Sequence, residues 1–381
     1  MRNRFVTIVA LFVVVAMVAP GAVAAGMGPS DGIGVSEMTQ LPAGTNYQVD
    51  DGNCTYPQTV TDSTGTEIEL SAEPESVVAV QPSDAQLVTE IGATEKLVGM
   101  PVGQYTASLN VSESVTDISM DDGASPVAEK VIDLDADVVI AANTVMSYHE
   151  GFVENLRNAG QTVYVYDAAG SLDDVRSNVQ LAGMLTGECE GAAQTITSMN
   201  ESLDRIDEVT AGEDQPLAYY VMGPNTDITA GAGTFQHEIM VRGGVENVAE
   251  RAGNTGWAAL SEEVIVAEDP EWIIYGDSYD SPPVTEAIKS TTAWEEEQFV
   301  EVDSNAMSQP GPHVITAIEQ IASTVHADAY AEVTNESSTN ESADEDSPDE
   351  SDDDAAVIPG FGPVVALVAL LSVAALAVRR Q

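Results

Sequence analysis

The residues able to do chemistry are few and dispersed. The four histidines, His149, His237, His313 and His326, include no pair at helical spacing, so a tetrahedral zinc site is not supported. There is no Gly-x-Ser-x-Gly nucleophile elbow, which argues against a hydrolase of that type. The stretch GAGTFQ has Gln236 where a dinucleotide-binding fingerprint needs its third glycine. These patterns do not favour an enzyme, and we expect no prosthetic group and no resident metal.

Two cysteines, Cys54 and Cys189, are the remaining reactive side chains. Their spacing matches no zinc motif, and the residues DDGN before Cys54 are not the small residues of a lipoprotein signal. Two cysteines suffice for one disulfide in an exported protein. We predict a Cys54–Cys189 bridge, and two free buried thiols are the alternative.

The charge balance is strongly acidic. The chain has 63 Asp and Glu against 12 Lys and Arg, and four of those bases lie near the two ends. The acids are spread along the whole chain, which indicates the hydrated surface of a halophilic protein. High salt screens the repulsion among such charges. The eight bases of the body cannot form a nucleic-acid-binding patch, so a nucleic acid partner is not expected.

Both ends of the chain indicate export. Arg2 and Arg4 precede the apolar run Phe5–Val18 and the small-x-small site Ala22-Val23-Ala24, a pattern that predicts a signal peptide over residues 1–24. Near the other end, Ala355–Val378 is uncharged and Arg379 and Arg380 follow. This pattern predicts a C-terminal membrane helix with the preceding chain outside the cell, and a buried core helix is the alternative.

An acidic segment precedes this apolar run. Residues 331–354 contain eleven acids and no Lys or Arg, so they are predicted to form a disordered tether. The tripeptide Pro359-Gly360-Phe361, the apolar run and the terminal arginines follow in that order. Residues 355–381 thus resemble the PGF-CTERM sorting signal of haloarchaeal surface proteins. In that family an archaeosortase removes the tail and a lipid replaces it. Five N-glycosylation sequons also suit an exported protein; they lie at Asn53, Asn110, Asn200, Asn335 and Asn340.

The body of the chain alternates between strand and helix patterns. After an N-terminal segment (25–58), a hairpin over Thr59–Leu70 opens a first region, 59–170, in which short apolar strands alternate with helices. Residues 171–210 show only helical periodicity, and alternation resumes over 211–330 with a closing helix from about His313 to Tyr330. Such alternation indicates parallel sheets covered by helices. The prediction is an α/β chain of two Rossmann-like lobes with parallel sheets, joined by a long helical bridge.

The order of lobe, long helix and lobe resembles the class III substrate-binding proteins of ABC importers, which serve iron-siderophores, haem and cobalamin. Four segments between Thr59 and Ala329 carry the resemblance, in the family's order. They are TVTDSTGTEIEL with the following PESVVAVQPSDAQLVTEIGATEKLVGM, then AEKVIDLDADVVIA, WAALSEEVIVAEDPEWII and SQPGPHVITAIEQIA.

The resemblance implies a surface-anchored monomer that captures cobalamin, haem or an iron-siderophore between its lobes and delivers it to an ABC permease with its ATPase. It assigns Glu129 and Glu263 to permease docking, and the adjacent Glu262 is the alternative to Glu263. The bridge would limit the motion of the lobes to a few degrees. A chelatase of the same topology and a non-transport surface protein are the alternative functions.

The ligand of this family is expected between the lobes, at the carboxyl ends of the strands. Residues placed there by sequence are Tyr105, Met146, Tyr148, Trp257, Phe235 and His313, with Thr229–Phe235 (TAGAGTF) as a further region. Partial core burial is the alternative for Tyr105 and Trp257. His313 stands where the family usually has arginine, which leaves a corrinoid, haem or a neutral chelate open. Other basic candidates are Arg242, Arg251 and Lys289.

Overall fold

The computed structural model describes residues 54–224 and 226–341. The predicted signal peptide, Asn53, the apolar run Ala355–Val378 and Pro359-Gly360-Phe361 lie outside the described residues. Within the described ranges, no helix combines the length and apolar character needed to cross a bilayer. The lobes and the bridge belong to one compact unit that ends at Thr334.

The first lobe is built on a five-stranded parallel sheet with the order β5-β4-β3-β6-β7, beside the antiparallel hairpin β1-β2. Its elements are β1 (Gln58–Thr61), β2 (Glu67–Leu70), β3 (Val77–Ala79), α1 (Pro82–Glu90), β4 (Leu97–Met100), β5 (Thr116–Asp117), α2 (Ala128–Leu134), β6 (Val138–Ala142), α3 (Thr144–Tyr148), α4 (Phe152–Asn158) and β7 (Val163–Tyr166). The predicted hairpin and parallel sheet are confirmed.

The predicted bridge consists of two helices, α5 (Leu172–Thr186) and α6 (Cys189–Thr210). The chain turns between them at Gly187, which has a φ of 86°. A side chain there would also collide with Glu73. Glycine adopts this left-handed conformation without strain, so it allows the two bridge helices to follow each other directly.

The second lobe is built on a four-stranded parallel sheet with the order β10-β8-β12-β13, and a separate antiparallel pair, β9-β11, lies beside it. Its elements are β8 (Leu217–Val221), β9 (Ile228–Ala230), α7 (Phe235–Arg242), β10 (Glu246–Asn247), α8 (Val248–Arg251), β11 (Trp257–Ala259), α9 (Glu262–Glu268), β12 (Trp272–Gly276), α10 (Thr292–Glu295), β13 (Phe299–Val302), α11 (Ser304–Ser308), α12 (Val314–Val325) and α13 (Ala327–Glu341).

The predicted closing helix differs from the observed one. The single helix expected from His313 to Tyr330 is two helices, α12 and α13, separated at His326. The ring of His326 is buried and shares a hydrogen bond with the carbonyl of Gly244. Helix α13 continues to Glu341, so the predicted start of the acidic tether at residue 331 lies inside a helix. The cause is local, because Tyr330 and Val333 pack against the core.

One hydrophobic cluster connects the lobes. It includes Val77 and Ala79 of β3, Leu203 of α6, and Ile274 and Val300 of the second sheet. The opposite faces of the two sheets pack into separate clusters under α2 with α4 and under α8 with α9. Each strand alternates its side chains between the two faces, so both sheets are covered on both sides.

Helix α6 is bound to the first lobe through its N-terminal half. The predicted disulfide joins Cys54 to Cys189, with a Cα–Cα distance of 5.5 Å. The backbone of α6 passes so close to the end of α1 that a Cβ on Gly191 would lie 1.9 Å from the carbonyl oxygen of Ile91. Thr195 Oγ1 donates a hydrogen bond of 2.8 Å to the carbonyl oxygen of Glu90.

The C-terminal half of α6 is bound to the second lobe. Its buried residues Leu203 and Ile206 belong to the cluster that reaches α7 and α12. Asp207 pairs with Arg242 of α7 at 3.0 Å. A helix of 22 residues is about 33 Å long, so α6 spans both lobes as one rod.

A buried carboxyl group lies at the start of α1. Asp84 is fully buried, and its Oδ1 accepts a short hydrogen bond from the hydroxyl of Tyr166 on β7. Its Oδ2 accepts a hydrogen bond of 3.0 Å from the backbone N–H of Gln81. Burial raises the pKa of Asp84 to about 7, although these hydrogen bonds act in the opposite direction.

We predict that Asp84 makes folding pH-dependent. Because its folded pKa is above the unfolded value of about 4, the folded state binds the proton more tightly, and stability is lost as pH rises toward 7. Asp84→Asn keeps an acceptor oxygen and cannot ionise. Denaturant unfolding at pH 5 and pH 8, at constant high salt, should show the wild type losing on the order of 2 kcal/mol more than this variant. Equal losses would contradict the assignment.

Candidate ligand-binding cleft

The carboxyl ends of the first lobe's strands carry a set of exposed apolar side chains. Val102 follows β4, Met120 follows β5, and Met146 and Tyr148 lie in α3 directly after β6. Their exposed fractions lie between 39% and 54%, and they are four of the six large apolar side chains exposed in the described part of the chain. We call these four residues the apolar edge. Ligands of open α/β sheets bind at this end of the strands, and grouped exposed apolar side chains mark binding surfaces.

The loops after β4 and β5 support each other at this edge. Gly103 packs so closely on Gly123 that a Cβ on Gly103 would lie 3.0 Å from the Cα of Gly123. Asp117 Oδ1 accepts hydrogen bonds from the backbone N–H groups of Val102, at 3.1 Å, and Ser119, at 2.9 Å. Burial acts to raise the pKa of Asp117, but the hydrogen bonds lower it overall. The carboxylate therefore stays ionised and holds both loops.

Tyr105 lies in the loop after β4, which closes on itself through buried Thr106. Thr106 Oγ1 donates a hydrogen bond of 3.0 Å to the carbonyl oxygen of Pro101 and accepts one of 3.2 Å from Gly103 N–H. Tyr105 itself is half-buried. Its carbonyl oxygen accepts a hydrogen bond of 2.9 Å from Gln309 Nε2 of the second lobe. The structure thus places Tyr105 where the two lobes meet.

Trp257 and Phe235 have different positions in the second lobe. Trp257 is the first residue of β11, pairs with Ala230 of β9, and is partly buried against the main core. Phe235 is 5% exposed and belongs to the core. The TAGAGTF stretch forms β9 and the turn into α7, where Thr234 caps the helix by accepting a hydrogen bond from His237 N–H. Trp257 remains a candidate for ligand contact, whereas buried Phe235 offers little surface to a ligand.

Tyr279 was missed by the sequence analysis, as were Val102 and Met120. Tyr279 follows β12, and its hydroxyl lies 2.9 Å from where a Cβ on Gly223, just after β8, would stand. It therefore occupies the carboxyl ends of two strands of the second sheet. The signal was present in the sequence, because an aromatic residue after the strand WIIYG meets the criterion that selected Tyr105.

His313 connects the lobes and does not project freely into the cleft. Its backbone N–H donates to Gln86 Oε1 at 3.0 Å, and its Nε2 lies 2.8 Å from Glu90 Oε1. Both partners lie on α1 of the first lobe. A ligand contact by His313 would have to compete with this pairing.

The basic side chains of the body are engaged with protein groups. The predicted basic candidates each pair with an acid: Arg242 with Asp207 of α6, Arg251 with Glu246, and Lys289 with Glu286. Of the other five, Lys130 donates to the carbonyl oxygen of Ser119 and the rest form the ion pairs Lys96–Glu73, Arg157–Asp62, Arg176–Asp173 and Arg205–Glu319. None of these eight described lysines and arginines is available to an anionic ligand without first leaving a partner.

Glu129 and Glu263 occupy equivalent positions in the two lobes. Each is exposed and is the second residue of a seven-residue helix, α2 or α9. Each helix ends at an aspartate in the left-handed conformation, Asp135 or Asp269, and each leads into an inner strand of its parallel sheet, β6 or β12. Hydrogen bonds from its own backbone N–H and from the Ser261 side chain lower the pKa of Glu263.

The equivalence extends to an acidic residue just before the next strand, Asp137 before β6 and Glu271 before β12, which bonds to the neighbouring strand's backbone. Asp137 Oδ2 accepts a hydrogen bond of 2.9 Å from Ser76 N–H, just before β3. Glu271 Oε1 accepts one of 3.3 Å from Leu217 N–H, at the start of β8. The match favours Glu263 over its neighbour Glu262 as the counterpart of Glu129.

A cavity of about 190 Å³ lies away from the strand ends, beside the bridge, and its lining includes Cys189, Ala192 and Ile196. It is smaller than the pockets of about 300–1,000 Å³ that hold small-molecule ligands. Among the described residues, no three His, Cys, Asp or Glu side chains are grouped to hold a metal ion.

Of the sequons, Asn110, Asn200 and Asn335 are exposed and Asn340 lies in α13.

Two family descriptions match the chain. The sequence model of the periplasmic binding protein family matches residues 77–303, and that of the PGF-CTERM motif matches residues 358–380. The first match spans both lobes and the bridge, and the second covers the predicted sorting signal.

Individual proteins give a consistent result. A protein of Halobacterium salinarum named cobalamin-binding protein is 34% identical over the full length of both chains. An uncharacterized ABC transporter substrate-binding lipoprotein of Bacillus subtilis is 27% identical, covering 73% of this chain and 88% of its own. The structure of Helicobacter pylori CeuE in a Ni-His complex matches with a TM-score of 0.60 at 20% identity, covering 74% of this chain and 92% of that one.

Proposed function

The chain belongs to the periplasmic binding protein family, and we propose that it is the substrate-binding component of an ABC importer that captures a corrinoid between its two lobes. The observation that carries the proposal is the apolar edge, Val102, Met120, Met146 and Tyr148, exposed at the strand ends of the first lobe. A broad flat macrocycle can cover such an edge, and an indole such as Trp257 offers a matching apolar face from the other lobe.

The charge distribution supports a corrinoid over anionic chelates. Haem propionates and most ferric siderophores require a cation in the site, but the bases of the described part already have protein partners. His313, at the position where the family usually has arginine, is paired with Glu90. A corrinoid's amide side chains need hydrogen bonds and no counter-ion. The name of the Halobacterium relative agrees with this choice.

Delivery requires docking, for which we propose Glu129 and Glu263. Their equivalent placement gives each lobe one exposed carboxylate at the start of a helix. Two charges on a rigid body orient it as well as attract it, so arginines of a permease would fix both position and direction. An ATPase would drive the import itself.

We propose that the protein works on the outer face of the cell membrane. The PGF-CTERM match at residues 358–380 supports attachment at the C-terminus after processing by an archaeosortase-type enzyme. The acidic surface suits high external salt, because salt screens its self-repulsion. Exposed Asn110, Asn200 and Asn335 would be open to glycosylation.

Cyanocobalamin should bind purified protein in high salt and quench its tryptophan fluorescence. Trp257→Phe should remove most of the quenching. The control is the same substitution at Trp294, which lies on α10 and packs against Phe299, and Trp294→Phe should preserve the quenching. Trp257→Ala should weaken binding by about 1–3 kcal/mol, as measured by titration calorimetry. Tight binding of haemin or a ferric siderophore without binding of cyanocobalamin would overturn the proposed ligand.

The docking proposal is tested by uptake in cells. Glu129→Ala combined with Glu263→Ala should abolish transport of the bound corrinoid and leave its affinity unchanged, because both side chains are exposed on helices and belong neither to the apolar edge nor to the Tyr105 loop. The matched control combines Glu129→Ala with Glu262→Ala and should retain more transport. Wild-type uptake by the first double variant would remove these residues from docking.

A further inference from the structure

Two amide side chains of the second lobe reach the backbone of the loop that carries Tyr105. Gln309 Nε2 donates to the carbonyl oxygen of Tyr105 at 2.9 Å, and Asn305 Nδ2 donates to that of Gln104 at 3.3 Å. The residues they join are some two hundred positions apart in the chain. The loop after β4 is therefore held by the opposite lobe as well as by its own.

Both N–H groups of the Gln309 side chain are used in hydrogen bonds. The side chain is buried, and its second hydrogen bond runs from Nε2 to Asn305 Oδ1 at 3.1 Å. A primary amide has two N–H donors, so both are used. Loss of a buried donor leaves the Tyr105 carbonyl without its partner, a change that costs more than a surface hydrogen bond.

The pair is fixed within the second lobe. The Asp303 carboxylate caps α11, accepting hydrogen bonds of 2.8 Å from the N–H groups of Asn305 and Ala306. The N–H of Asp303 donates to Gln320 Oε1 of α12 at 2.8 Å. Asn305 thus stands on a short helix that is itself tied to a core helix, and Gln309 directly follows that helix.

The Tyr105 loop is fixed with similar firmness in the first lobe, through Thr106 and the contact of Gly103 with Gly123. Gln309 joins two rigid supports through a single carbonyl group. We infer that Gln309 is a positioning residue, which sets from the second lobe where Tyr105 stands in the cleft. The inference deepens the proposed function, and rests on it only in taking Tyr105 as part of the ligand site.

The first test needs no ligand. Gln309→Glu keeps the size of the side chain, removes both donors and turns a carboxylate toward the Tyr105 carbonyl. Amide hydrogen exchange over residues 101–110 should accelerate more than exchange in the core strands β3 and β6. Gln180→Glu on α5 adds the same charge away from the cleft and should leave this exchange unchanged. Unchanged exchange in the Gln309 variant would overturn the inference.

The second test measures binding of cyanocobalamin. The Gln309→Glu protein should release the probe roughly tenfold faster, the effect of losing one buried hydrogen bond. Gln309→Met, which is uncharged and of similar length, should show the same direction and serves if the glutamate variant does not fold. Wild-type release in a variant whose loop exchange is accelerated would also overturn the positioning role. Failure of the wild type itself to bind would refute the proposed ligand, while the exchange test would still decide the inference.

Discussion

The contact between α6 and the end of α1 determines how the two lobes are joined. At Gly191 the helix backbone touches the carbonyl of Ile91 in a space that admits no side chain. Thr195 adds a hydrogen bond one turn later, and the Cys54–Cys189 disulfide holds the start of the helix. A covalent link closing so long a loop stabilises the folded chain by up to about 5 kcal/mol in the chain-entropy model. Because α6 continues into the second lobe, its attachment to the first lobe fixes the position of the second lobe.

This constraint supports our proposal that the ligand cleft is formed before a ligand binds. The hydrophobic cluster passes unbroken from the first sheet through the bridge to the second, so a wide hinge motion would expose core residues. The pairing of His313 with Glu90 and the contact of Gln309 with Tyr105 add polar links between the lobes. Binding to a preformed cleft requires little ordering of the protein and so costs little free energy. The affinity then depends on how well the ligand fits the surfaces of the two lobes.

Most of the fold follows from sequence pattern, and much less of the site does. Strands such as VVIAA and helices such as α5 have clear periodicity, whereas β5 and β10 are two residues long and carry no periodic signal. Trp257 was identified by resemblance, but its place in a β-strand paired with β9 depends on contacts distant in sequence. The sequence shows that His313 stands where the family usually has arginine. It cannot show that His313 pairs with Glu90 across the lobe boundary. Glu263 was predicted with its neighbour Glu262 as the alternative, and comparison of the two lobes favours Glu263 as the structural counterpart of Glu129.

We propose that a corrinoid enters a cleft whose geometry is set before binding. Spin labels on Asn158→Cys in α4's last turn and Glu295→Cys in α10, both exposed and in different lobes, would report the distance between the lobes. The native cysteines are bridged and do not take up label. Pulsed dipolar spectroscopy with saturating cyanocobalamin should show this distance changing by less than about 2 Å, the range of preorganised binding. A shift well beyond that range on binding would contradict the claim, and so would the absence of binding.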